Sequence, residues 1–204
     1  MPRRPRVVAV GAPHHVTQRG NYRQTVFHTD DDRLFYLDRL RRKAADYGLS
    51  ILGWCLMPNH IHVVAVPSQP FSMAKAFGQT HHAYARRING FRRRYGHFWQ
   101  NRYYSCPLDR AHLIEALAYV DLNPVRARLA EQPEDYKWSS ARAHLTRRDP
   151  HNLLDDFLWS DLDRGRDWAD VLAARPAGPS FERKLDAALR HGRPLGKLAK
   201  AAGE

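Results

Sequence analysis

Two cysteines in 204 residues, Cys55 and Cys106, are too few and too far apart for a disulfide framework or a cysteine-rich zinc site. A reducing, cytoplasmic setting is therefore expected. No apolar run approaches the length needed to cross a bilayer. The start at Met1 carries arginines but no following apolar signal core, so no secretory peptide is expected. There is no internal repeat. Acidic residues are the other shortage: 21 against 33 basic ones, for a net charge of +12. Such an excess favours a polyanionic partner through counterion release. A basic surface that is merely solvated is the plainer alternative. Arginine clusters at 3–6, 39–42, 86–87 and 92–94 are spread along the chain, which suits an extended phosphate track. Nucleic acid is thus the partner expected from charge. What the chain does have is 43% hydrophobic residues, 11% of all residues being aromatic, enough core for one domain with a modest appendage.

The pattern of elements is mixed. Residues 7–19 read as a strand running into a turn at Gly20-Asn21. A helix follows from Asp31 to Tyr47, opened by Asp30, Asp31 and Asp32 at the positive end of its dipole and striped by Leu34, Leu37, Leu40 and Ala44. Gly48 supplies its stop. Ser50–Met57 and His60–Val66 form a hairpin around Pro58-Asn59. A long helix is expected from Phe71 to Arg94, then a strand within Gly96–Leu108. Asp109 caps a further helix, which Pro124 should end. The order β-α-β-β-α-β-α predicts an α+β, ferredoxin-like βαββαβ antiparallel sheet with two crossover helices. Residues 1–145 make this domain. Residues 146–204 make a basic accessory tail, a C-terminal extension with one or two short helices over 180–202.

Two local patterns carry chemistry. On a strand, His60 and His62 share one face while Ile61 points to the other, so two imidazoles can converge on one divalent cation. Satisfied or solvent-facing histidines are the ordinary alternative in a chain with twelve. In the helix before Pro124, Tyr119 and Asn123 are four residues apart and project from one side. A tyrosine there can be a nucleophile and the asparagine oxygen a further ligand. Alternatively Tyr119 packs on the sheet and Asn123 caps the helix end.

These segments resemble a known family. Leu56–Val64 (LMPNHIHVV) is similar to the histidine motif of single-tyrosine (HUH) transposases, and Tyr119–Ala127 (YVDLNPVRA) to their tyrosine helix. His15–Asn21 (HVTQRGN), Gly96–Tyr103 (GHFWQNRY) and Trp138-Ser139-Ser140 fit the same family and point to its REP-associated tyrosine branch. The resemblance covers about residues 7–145; in the tail, Arg193–Gly196 (RPLG) is similar to extensions of that branch. It implies a ferredoxin-like domain that cuts single-stranded DNA beside hairpins, with Tyr119 as nucleophile and His60 and His62 as metal ligands. Asn123 stands where relatives often place a glutamine third ligand. Dimers are common among the relatives and monomers in the REP-associated branch, so monomer and homodimer both stand.

The chemistry expected follows. A free phenol has a pKa of about 10 and is a poor nucleophile at neutral pH. A bound Mg²⁺ or Mn²⁺ would polarise the scissile phosphate. Attack by Tyr119 would leave a 5′-phosphotyrosine and a 3′-hydroxyl that can later be rejoined without ATP. Arg19, Arg23, Arg102 and Arg126 are candidates for phosphates, Trp99 and Tyr103 for base stacking, and Arg3, Arg4 and Arg6 for a basic arm. A non-catalytic regulator binding single-stranded nucleic acid on the same fold is the alternative. A metal-dependent hydrolase using the two histidines is a third.

Overall fold

A computed structural model describes residues 6–93, 95–162, 165, 167–174 and 178–197. Arg3, Arg4 and Arg94 of the arginine clusters, and residues 198–202 of the expected tail helices, lie outside them. The elements are β1 (His14–Arg19), α1 (Asp30–Asp46), β2 (Leu49–Met57), β3 (His60–Pro67), α2 (Ser72–Arg92), β4 (Tyr104–Pro107) and α3 (Arg110–Arg126). A short α4 (Ala141–Thr146) follows at the end of the domain, and the tail adds α5 (Asp156–Leu162), α6 (Trp168–Ala173) and α7 (Pro179–His191). The sheet order is β2-β3-β1-β4 with every pairing antiparallel. This is the ferredoxin-like βαββαβ arrangement, an α+β fold.

Both faces of the sheet are covered. On one, Val16, Trp54, Leu56, Ile61 and Val63 pack beneath Tyr36, Leu37 and Leu40 of α1 and Phe77 and Tyr84 of α2. On the other, Cys55, Met57, Val64 and Cys106 meet Leu113, Leu117 and Val120 of α3, with Trp159, Trp168, Phe181 and Leu185 of the tail. Alternation along β2 and β3 sends successive side chains to these two cores. A bulge between Ile51 and Gly53 interrupts the β2–β3 register. A Cβ on Gly53 would lie 2.7 Å from Leu117 Cδ2, so the missing side chain lets α3 sit close to the sheet, two residues before Tyr119.

Several boundaries differ from the sequence reading. β1 begins at His14, not at residue 7, because Pro13 lacks the N–H that a continuing ladder needs. Leu34 is exposed and Tyr36 takes the inward place, the buried stripe of α1 being Tyr36, Leu37, Leu40 and Ala44. Thr29 caps that helix in a reciprocal box with Asp32, a contact that contributes about 1 kcal/mol. The expected strand within 96–108 shrinks to four residues, the stretch before it following an irregular path around Trp99. Helix α3 does not stop at Pro124. It runs on to Arg126, with the Asn123 and Pro124 carbonyls accepting from the Ala127 and Leu129 amides, and Arg128 in the left-handed region turns the chain away. Among the described residues no helix is long and apolar enough to cross a membrane.

Candidate active site

The register of β1 and β3 builds the site. Arg19 pairs with His60, Thr17 with His62 and His15 with Val64, and paired residues of an antiparallel ladder point to one face. That face is the one α3 covers. His60 and His62 rings are 4.8 Å apart between centroids and nearly perpendicular. The Tyr119 ring lies edge-on to His62 at 5.4 Å and to His15 at 6.1 Å. His15 Nε2 and His62 Nδ1 are 3.0 Å apart.

The electrostatics keep these imidazoles neutral. Burial, then the Arg19 guanidinium, pulls His60 down to about 4. Burial and the neighbouring His60, His15 and Arg19 hold His62 well below the usual histidine range. Neutral imidazole is the form that binds metal. His60 is also oriented: its Nδ1–H donates to the Asn59 side-chain oxygen at 2.6 Å, which leaves Nε2 as the bare lone pair.

Tyr119 is only 7% exposed. Burial pushes its phenol up to about 12, with Glu182 and Asp186 of α7 adding to the rise. The neighbouring Asn123 side chain and the Arg126 guanidinium act in the opposite direction. Arg126 sits 5.2 Å from the Tyr119 ring centre, and the Phe181 ring lies 6.0 Å from the same ring on the α7 side.

Three buried nitrogens here have no hydrogen-bond partner: His15 Nδ1, His62 Nε2 and Asn123 Nδ2. Leaving such groups unmade costs free energy unless something else engages them. The unpartnered His62 Nε2, with the His60 imidazole and the Asn123 side-chain oxygen, makes a set that fits a divalent cation of the Mg²⁺ or Mn²⁺ kind, while the Asn123 N–H is a hydrogen-bond donor and has no share in it. Among the described residues no group of three or more His, Cys, Asp or Glu side chains is arranged to hold a metal, so an amide would have to complete the protein's share.

The structure thus brings His60, His62, Tyr119, Asn123, Arg19 and Arg126 together. Arg23 is exposed in the turn after β1, where its carbonyl accepts from the Asn59 amide. Trp99 and Arg102 lie elsewhere. The Trp99 indole donates to the His81 carbonyl and packs on the α2 side of the sheet. Both residues line a cavity of about 1120 Å³ whose walls include none of His15, His60, His62 and Tyr119. Tyr103 is buried in the core with Arg6 stacked on its ring at 3.7 Å, so it offers no free stacking face.

Sequence reasoning missed three residues at the site and one exposed ring outside it. His15 was quoted only as part of a motif; its contact with His62 depends on strand pairing. Tyr22, fully exposed at a φ of 51° beside the turn that joins β1 to Asn59, carried no local signal. Phe181 and Glu182 come from the tail, more than sixty residues beyond the tyrosine.

Residues 10–123 match the model of the IS200-like transposase family. No curated protein sequence matches the chain. Among solved structures, that of a REP-associated tyrosine transposase bound to a REP hairpin superposes with a TM-score of 0.56 at 18% identity, covering 76% of this chain and 90% of that one. At this identity the likeness speaks to the fold alone. A structure from Deinococcus radiodurans R1 described as a transposase candidate gives a TM-score of 0.38 at 22% identity over 54% of this chain and 92% of that one, too low to bear on the fold. The family match spans β1 to α3, more than half of the chain, and with it the strands and the helix that form the site. This chain belongs to the family of IS200-like transposases.

Proposed function

We propose that the protein nicks and rejoins single-stranded DNA beside hairpins through a 5′-phosphotyrosine on Tyr119, as a member of the REP-associated branch. The observation that carries this is the packing of Tyr119 between Asn123 and His62, whose Nε2 is buried without a partner. The Tyr119 oxygen forms a bond to phosphorus as the P–O3′ bond breaks; the phenol proton leaves and the departing O3′ takes one up. A divalent cation on His60, His62 and Asn123 would supply Lewis-acid charge for a non-bridging phosphate oxygen. Arg19 and Arg126 flank the phosphate's place and neutralise it. The Asn123 amide N–H, unused in the neutral site, is available to the phenolate as it forms.

The DNA surface extends away from the tyrosine. The cavity with Trp99 shares Asn101 and Arg102 with a second, of about 440 Å³, bounded by Arg6 and Arg190. No aspartate or glutamate lines either cavity among the described residues, which suits a phosphate backbone. Tyr22 offers an exposed ring for an unstacked base. The hairpin in the REP-associated relative supports the choice of substrate.

The test is a denaturing gel of protein incubated with a hairpin-bearing single strand and Mn²⁺. A covalent protein–DNA band is expected for the wild type and none for Tyr119→Phe, which should bind DNA normally. An adduct formed equally by the phenylalanine variant would overturn the assignment. Excess EDTA should abolish cutting while leaving a strongly salt-dependent DNA affinity.

A further inference from the structure

His15 is fully buried in the middle of β1 and has no part in the steps above. It pairs with Val64, which makes it the diagonal neighbour of His62 on the same face. Its Nε2 stands 3.0 Å from His62 Nδ1, and its Nδ1 has no partner. The His62 ring is therefore held at one nitrogen and open at the other.

A neutral imidazole carries one proton, and the nitrogen that meets a cation must be without it. For His62 Nε2 to be a ligand, the His62 proton must sit on Nδ1, and the atom placed to accept it is His15 Nε2. The His15 proton then occupies His15 Nδ1. In the reverse arrangement His15 Nε2–H donates to His62 Nδ1, the His62 proton lies on Nε2, and ligation is blocked. The pair has two tautomeric arrangements, and one of them is competent to bind.

We infer that His15 is a positioning residue for the metal centre: it accepts the Nδ1 proton of His62 and so holds the ring in the plane and the tautomer in which Nε2 is bare, the arrangement of the pair that a cation selects. Asn59 does the same for His60 through its side-chain oxygen at 2.6 Å, so each imidazole has its own acceptor. Both acceptors are uncharged. A carboxylate in the place of His15 would orient His62 as well, but it would set a negative charge beside the scissile phosphate. This inference rests on the proposal that His60 and His62 hold a divalent cation.

The experiment uses the full chain with His15→Gln, which keeps an acceptor oxygen, and His15→Leu, which has none. Mn²⁺ affinity is measured by calorimetry without DNA, and hairpin affinity is measured separately in EDTA. The leucine variant should bind Mn²⁺ about 10- to 100-fold more weakly, the loss usual for such outer partners, and glutamine should restore most of it. Hairpin affinity in EDTA should be the same for all three proteins. A core-filling role would let leucine serve as well as glutamine, so equal Mn²⁺ affinities overturn the inference. Nitrogen-15 histidine spectra of the wild type loaded with diamagnetic Zn²⁺ give an answer even where the leucine variant fails to fold. The His62 proton should be on Nδ1, and finding it on Nε2 would overturn the inference. A wild type that binds no Mn²⁺ with or without DNA would instead overturn the metal reading beneath it.

Discussion

Asn123 has two functional groups and two open uses. Its oxygen suits a hard cation, and its N–H lies next to the Tyr119 hydroxyl. The alternative of a side-chain cap at the helix end loses its basis because α3 continues to Arg126, where the Asn123 backbone carbonyl, not its side chain, accepts from the Ala127 amide. Asn123→Ala should therefore raise the Mn²⁺ concentration needed for cleavage roughly tenfold while shifting the melting temperature little. A metal titration of cleavage beside a melting curve checks this; an unchanged metal requirement removes Asn123 from the site. At this scale, local periodicity made His60, His62, Tyr119 and Asn123 legible, since strand alternation and a helical turn act over a few residues. His15 was not, because its partner lies 47 positions away and only the β1–β3 ladder joins them. Trp99 and Arg102 were placed with the site by closeness in sequence to the tyrosine helix, yet the path from residue 96 to 103 carries them to the α2 side.

Helix α3 is the element that connects the site to the rest of the chain. Tyr119 faces the histidines, while two residues on, the buried Asp121 faces the tail. Its carboxylate accepts from Ser140 Oγ at 2.9 Å, His144 Nδ1 at 2.7 Å and Trp168 Nε1 at 2.9 Å, and His144 Nε2–H donates to the Leu52 carbonyl at 2.8 Å. Asp121→Ala strands all three donors in the interior, and a loss of about 3 kcal/mol is expected in chemical denaturation. A loss below 1 kcal/mol, on the order of a surface substitution, would contradict that account. Helix α7 acts on the nucleophile from the other side. With the phenol held near 12, its ionised fraction at neutral pH is small and grows with each unit of alkalinity, so nicking should quicken from about pH 7 to pH 9. Glu182→Gln removes one of the charges that raise the phenol and should speed nicking severalfold at fixed neutral pH. A rate unchanged or lowered in single-turnover measurements would count against this. The order of the elements and the first two helices were legible in the sequence because turn residues and apolar stripes mark them. The contacts of α7 were not, because nothing local says which face a short basic helix will cover.

The molecule as a whole keeps several histidines uncharged. Burial lowers His14 to about 4 and His81 to about 3, while the unfolded chain protonates them near the ordinary value of about 6.5. The folded form thus binds fewer protons than the unfolded one below that point. The stability they contribute is complete above about pH 6.5 and is lost as the pH falls through the folded values. Melting temperatures should be level near neutrality and drop steadily towards pH 4; a flat profile over that range would contradict the buried, neutral assignment. The charge excess expected to mark a nucleic-acid partner is also organised at this scale, in two acid-free cavities joined through Asn101 and Arg102. Sequence counts revealed the excess but not the proposed track, whose two cavities form only when α2, β4 and α7 come together. The Asp121 network has a mechanical consequence as well. In the proposed covalent state Tyr119 is a link in a polymer, and any tension on the DNA is borne by α3. The helix is moored by three buried hydrogen bonds to two separate parts of the chain, the α4 segment and Trp168 of α6, only two residues from the point of load. A transposase that must hold one strand end while another is found has its bollard sunk in the core, not standing on the surface.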